Sequence, residues 1–319
     1  MSQPWTCRPY RDGDEAGILE LYREVFRLDL TTEYWRWAFT ASPDGPSLIA
    51  VIEMEGKVVG HYAVTPRKYW VQGELRTAGY DGATMLAPIA RNVTTFVQMA
   101  KVAQQMCQDA GIAWLYGFPN AQALAPRLRL LDWKRCPDAI EWVCALPQPA
   151  LEHADVQVWR KVPDEFNFDG TDPVTDERPV RSARSKAWLR WRFFDQPGAE
   201  YVMHALVDGA QITGYAITKR YNRDGTLYGH IVDWQLTERA ADLGSELLAS
   251  ICRQLGQWAV DRISCWASGQ PHLASLLAAA GLAPTGRRSP LCYDESSSAH
   301  AAALAEGEWR YAMADCDVF

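Results

Sequence analysis

The feature that most constrains this chain is a stretch written twice. Tyr34–Gly60 reads YWRWAFTASPDGPSLIAVIEMEGKVVG, and Trp188–Gly214 reads WLRWRFFDQPGAEYVMHALVDGAQITG. At a constant shift of 154 residues and without a gap, Arg36 meets Arg190, Trp37 meets Trp191, Phe39 meets Phe193, Pro43 meets Pro197 and Gly60 meets Gly214. Each copy has the pattern of an aromatic helix end, a Pro break, a strand, a turn and a second strand. The order of elements around the copies also repeats. The expected fold class is therefore α/β, built from two tandem domains, each a mixed central sheet flanked by helices. A length of 319 residues suits two domains.

Composition narrows the function classes. The chain is 48% hydrophobic and 22% charged, as a globular protein is, and carries 14 Trp. Its net charge of −7 argues against nucleic acid or an anionic membrane as partner, because both require basic surface. The eight Cys are scattered without a CxxC pair, and the six His show no metal spacing. Reduced, largely buried thiols and no metal are expected. No apolar leader opens the chain and no apolar run reaches the length of a membrane span, so the expected location is cytoplasmic.

The pattern predicts a strand over Trp5–Tyr10, then a helix over Glu15–Arg27 capped by Asp14. A second helix is expected at about Thr32–Phe39. Strands Leu48–Met54 and Val58–Val64 are joined by Glu55-Gly56-Lys57, and a third strand covers Lys68–Val71. Leu75–Leu86 reads as a strand with internal Gly79 and Gly82, a sign of a bulge or a close approach. A loop over residues 87–95 feeds a long helix at about Thr94–Ala110. The apolar strand Ile112–Phe118 follows, then a helix from Asn120 to about Leu131 and closing strands within Arg135–Leu146. Residues 151–180, rich in Pro and acidic side chains, read as a linker. The expected domains are 1–150 and 181–319.

This order in both halves resembles the GNAT (Gcn5-related N-acetyltransferase) superfamily, as do the phrases YWRWxF, YGFPN and WRYAMADCD. The resemblance implies that the fourth strand bulges and parts from the fifth, and that acetyl-CoA or another acyl-CoA lies in the gap. It also implies a loop of the form R/Q-x-x-G-x-G/A, whose amides meet the pyrophosphate at a helix start. The matching place here is Arg91-Asn92-Val93-Thr94-Thr95-Phe96, with Thr94 and Phe96 standing where small residues are expected. The second half has Arg239-Ala240-Ala241-Asp242-Leu243-Gly244, with a carboxylate where the pattern asks for Gly. The N-terminal half is thus expected to bind the donor, and the second to be a degenerate copy.

Under that resemblance, backbone amides around Leu86 and Ala87 would hold the thioester carbonyl. Asp81 would be a base or else an ion-paired scaffold residue. Tyr116 or Tyr80 would supply a proton to the departing thiol. Asn120 would contact the cofactor or cap a helix, and His61 would be a base or a wall residue opposite Tyr215 in the other copy. The expected reaction is acyl transfer to a small amine, an amino sugar or a metabolite, with the oligomeric state open. Two other readings stand beside it: a non-catalytic tandem GNAT binding module, and an aminoacyl or peptidyl transferase resembling the Fem ligases.

Overall fold

The computed structural model describes residues 5–145, 156–164, 166–168, 179–268, 271–294 and 301–316. The first half runs β1 (Thr6–Pro9), α1 (Glu15–Phe26), α2 (Thr32–Phe39), β2 (Leu48–Met54), β3 (Lys57–Val71) and β4 (Glu74–Leu86). It continues through α3 (Val93–Asp109), β5 (Leu115–Gly117), α4 (Ala121–Leu130), β6 (Lys134–Arg135) and β7 (Ala139–Ala145). The second half runs β8 (Val156–Trp159), β9 (Pro179–Ser182), α5 (Lys186–Leu189), β10 (Tyr201–Asp208), β11 (Gln211–Arg223) and β12 (Thr226–Leu236). Then come α6 (Gly244–Gln257), β13 (Arg262–Trp266), α7 (Pro271–Ala279), β14 (Ala283–Ser289), β15 (Cys292–Asp294), α8 (Ala301–Glu306) and β16 (Glu308–Arg310).

Two compact units result, and neither is a continuous stretch. One comprises Met1–Pro137 with Pro290–Glu306, the other Asp138–Ser289 with Gly307–Phe319. The cause is an exchange of strands. In the first sheet the order β1-β2-β3-β4-β5-β15-β6 seats β15 from the second half between β5 and β6. In the second sheet the order β14-β7-β13-β12-β11-β10-β8 seats β7 from the first half between β13 and β14. Side-chain burial follows: Cys292 of β15 belongs to the first core, while Trp142 and Cys144 of β7 pack on the second. The compact units therefore differ from the expected boundaries at 150 and 181. Part of the expected linker is also a strand, since β8 pairs with β10 at the sheet edge.

The repeated Trp, Phe and Gly residues are scaffold. Trp37 and Trp191 are buried, and Phe193 is fully so. A Cβ on Gly60 would lie 2.7 Å from Ile52 and 3.0 Å from Leu86; one on Gly214 would lie 2.5 Å from Leu236. Each repeated Gly thus vacates a slot for the Leu opposite it on the next strand. Three local expectations change. Asp14 makes no cap bond to α1, because Arg8 holds both its oxygens at 2.7 and 2.8 Å. β3 is one strand through Pro66, which β2 does not reach because it ends opposite Val64. The second aromatic helix leaves α5 as a π-helical turn, Arg190–Phe194, closed by the Asp195 amide on the Arg190 carbonyl at 2.9 Å.

Candidate active site

In the first unit β4 and β5 run parallel for only two rungs, Gly79 with Leu115 and Tyr80 with Tyr116. Beyond Tyr80, β4 continues six residues to Leu86 and, among the described residues, has no strand partner on that side. The strands part as a wedge. Its closed end is tight: a Cβ on Gly117 would come within 2.9 Å of the Asp81 carbonyl.

The wedge opens at a bulge. Between the pairs Ala63–Gly82 and His61–Met85, β3 has one residue and β4 has two, Ala83 and Thr84. Ala83 takes a left-handed φ of 51°, rare for a residue with a Cβ. Its carbonyl accepts from His61 Nδ1 at 2.8 Å. A carbonyl only accepts, so Nδ1 carries the proton, and burial keeps the ring neutral with a pKa lowered to about 4. His61 is fully buried, with Nε2 unpartnered and the Phe39 ring edge-on at 5.4 Å. A freely exchanging base is thus not what His61 is.

At the other end of the wedge β4 passes through the 3-10 turn Pro88–Ala90 into α3. Asn92 caps α3, its Oδ1 accepting from the Thr95 amide at 2.9 Å. The preceding amides of Val93 and Thr94 have no partner among the described residues, and both residues are exposed. Arg91 lies exposed beside them, Nη2 donating to the Leu86 carbonyl at 3.1 Å. The start of this 17-residue helix offers unsatisfied amides and the positive end of its dipole, both of which favour negative charge. Phe96, standing where a small residue is expected, turns inward, 6.0 Å from the Arg127 guanidinium and 6.5 Å from the Tyr62 ring.

Ala87 is not a carbonyl-holding donor, because its amide already donates to the Val59 carbonyl at 2.9 Å. Strand alternation then makes Leu86–Gly60 the non-bonded pair, which aims the Leu86 amide away from β3 and toward the wedge. Asp81 is likewise not an accessible base. Its side chain is fully buried, held bidentately by Arg127 Nε and Nη2 at 2.7 and 2.8 Å, and accepts from Tyr62 Oη at 2.7 Å and Thr84 Oγ1 at 3.2 Å. The second unit repeats the trio: Asp233 accepts from Arg184 at 3.0 and 3.1 Å and from Tyr215 at 3.0 Å. A trio present in both halves is scaffold. Asn120 caps α4, accepting from the Gln122 and Ala123 amides at 3.1 and 2.9 Å. Tyr80 and Tyr116 stand side by side at the fork with ring centres 5.4 Å apart.

Sequence reasoning missed Arg127. The signal was its position within the stripe Leu124, Leu128 and Leu131, along α4 and its C-terminal cap, where a charge demands a buried partner.

In the second unit the corresponding wedge is filled. β12 and β13 part after Ile231–Cys265. Tyr311 bridges Ser268 just past β13, and the turn Met313–Asp315 packs on β12. Asp315 pairs with Arg184 at 2.9 Å, and Arg192 donates to the Ala314 and Cys316 carbonyls. Tyr311–Cys316 is buried throughout. The start of α6 is closed as well, because the 3-10 helix Glu238–Leu243 runs straight into it. The side chain of Arg239 lies outside the described residues.

Residues 6–134 match the family model described as an acetyltransferase (GNAT) domain. This stretch is a GNAT domain. Among solved structures, a probable N-acyltransferase of Enterococcus faecalis V583 aligns with TM-score 0.66 at 13% identity, over 91% of this chain and 71% of that one. A GCN5-related N-acetyltransferase from Anabaena variabilis gives 0.66 at 15% identity over 91% and 72%. Saccharomyces cerevisiae N-myristoyltransferase with bound myristoyl-CoA gives 0.58 at 11% identity over 92% and 79%. These likenesses span both halves, and the fold is two tandem GNAT-like domains, the first holding the matched GNAT domain. None of the curated proteins matches in sequence. Among the described residues no helix is long and apolar enough to cross a membrane.

Proposed function

We propose that the GNAT domain binds an acyl-CoA in the β4–β5 wedge and transfers its acyl group to a small amine. The observation that carries this reading is the wedge of β4 and β5 opening onto the uncapped amides at the start of α3. Bound acyl-CoA would supply an activated thioester. The amides of Val93 and Thr94, with the Arg91 guanidinium, would hold its phosphates. The Leu86 amide would bind the carbonyl oxygen and stabilise charge developing there. Tyr80 or Tyr116, at the fork, would give a proton to the departing sulfur. The second unit, with its wedge filled and its helix start closed, would take no donor.

Thermal shift against CoA, acetyl-CoA and longer acyl-CoAs tests the reading. Stabilisation by CoA is expected, lost in Arg91→Ala and kept in Arg239→Ala. A protein that no CoA compound stabilises would sink the enzyme reading and leave that of a non-catalytic binding module.

A further inference from the structure

The two halves differ in one place where a functional device belongs. The sheet registers correct the alignment of the repeats: Tyr62 and Tyr215, not His61 and Tyr215, are counterparts, since each donates to the Asp of its own trio. Gly60 and Tyr62 are then two residues apart where Gly214 and Tyr215 are adjacent. Asp81 and Leu86 are five apart where Asp233 and Leu236 are three apart. His61 is therefore an extra residue of the first half, and it faces extra residues of β4. The second half has only a narrow bulge at Val232, and no residue of β12 has a positive φ. Extra residues, left-handed Ala83 and the His61 bond thus occur together, in the half whose wedge is open.

Alternation explains what the bulge does. The Gly79 amide donates toward β5, to Trp114, so Asp81 also faces the wedge; past the bulge Thr84 and Leu86 face it. Two consecutive residues, Ala83 and Thr84, thus meet the wedge side. An Ala83 carbonyl turned there would set a partial negative charge where a thioester oxygen must bind. The His61 bond draws that carbonyl toward the His61 ring instead. Leaving Nε2 buried and unpartnered is unfavourable, and nothing else bonded to the ring repays it.

We infer that His61 is a positioning residue: by holding the Ala83 carbonyl away from the wedge, it keeps that acceptor from facing the acyl carbonyl of the donor and leaves the Leu86 amide free to bind it. This rests on the donor-site reading above. It predicts that His61 matters to the thioester and not to the rest of CoA. The test is calorimetric titration of CoA and of acetyl-CoA into wild type, His61→Leu and His61→Asn. Wild type should prefer acetyl-CoA. His61→Leu should lose about tenfold in acetyl-CoA affinity, as one well-placed bond does, with CoA affinity kept. His61→Asn, whose Nδ2 can replace Nδ1, should restore the preference. If His61→Leu does not fold, His61→Asn and wild type are compared by the infrared stretch of the bound thioester carbonyl. Both should show it lowered relative to free acetyl-CoA. A wild type that binds CoA with no preference for acetyl-CoA, an unchanged affinity ratio in His61→Leu, or an unshifted carbonyl would each overturn the inference while leaving the donor site standing. Failure of wild type to bind either compound would overturn the donor site itself, and this inference with it.

Discussion

Three buried histidines make this protein acid-sensitive in a window where carboxylates are silent. His61, His204 and His230 are each fully buried. Burial lowers their pKa values from 6.5 to about 4, about 3 and about 3. For His230, Arg223, Lys219 and Arg287 lower it further. His204 is held between Ser250 and Thr218, which serve the neutral ring as donor and acceptor. A folded pKa below the unfolded one means that the unfolded chain binds protons first as the pH falls. The stability is therefore complete above about pH 7 and declines from 6.5 down toward 4 and 3. By pH 5 each group has crossed about 1.5 units, worth about 2 kcal/mol, so the three together remove about 6 kcal/mol. That is comparable with the whole stability of a typical domain. Asp14 and Glu15, whose pKa values are lowered from 3.8 and 4.5, begin to lose their share only as the pH falls through those values, below the pH 7 to 5 window. The assay is urea unfolding at pH 7, 6 and 5, with the free energy plotted against pH. The expected slope between pH 6 and 5 approaches three protons, about 4 kcal/mol per unit, and His204→Gln should remove about a third of it. A slope below one proton, about 1.4 kcal/mol per unit, would refute the burial of these rings as neutral species.

Other outcomes follow from the same contacts. Arg127→Met should destabilise the protein by about 3–5 kcal/mol, because it strands the Asp81 carboxylate; adding Asp81→Leu and Tyr62→Phe should recover most of that loss in chemical denaturation. Calorimetric titration should find one CoA per chain, and two would show that the C-terminal segment does not fill the second wedge. The thiols of Cys107, Cys252, Cys265 and Cys292 are pushed up to about 12 by burial, so native protein at pH 7.5 should react with iodoacetamide slowly, and all eight thiols should react after unfolding.

The fold was legible because its signals are local. Short apolar runs bounded by turn residues marked β2 and β10, and the repeated Trp and Gly matched the second copy to the first. The exchange of β7 and β15 was not legible. Both strands carry ordinary strand sequence, and which sheet accepts them is decided by what lies across the rung. Asp81 was found, yet its role turned on Arg127, distant in sequence by 46 residues. His61 was noticed and misaligned, since a one-residue insertion in a strand is invisible until hydrogen bonds reveal the register. The loop Arg91–Thr95 was legible in place; the inward turn of Phe96 needed the buried guanidinium it packs against.

The strand exchange also sets an order on how this protein comes into being. β7 leaves the ribosome early, but its partner β13 is made more than a hundred residues later, and the first sheet waits for β15 at Cys292–Asp294. At roughly 5–20 residues per second, the 147-residue step from Ala145 to Cys292 takes roughly 7–30 s. Through that interval the nascent first half carries an unpaired edge at β5 and, until β13 is made, a strand with no sheet, both templates for wrong pairing. Two genes encoding 1–150 and 151–319 separately would make partners that complete each other only by exchanging strands, so each half should require the other at the moment of folding.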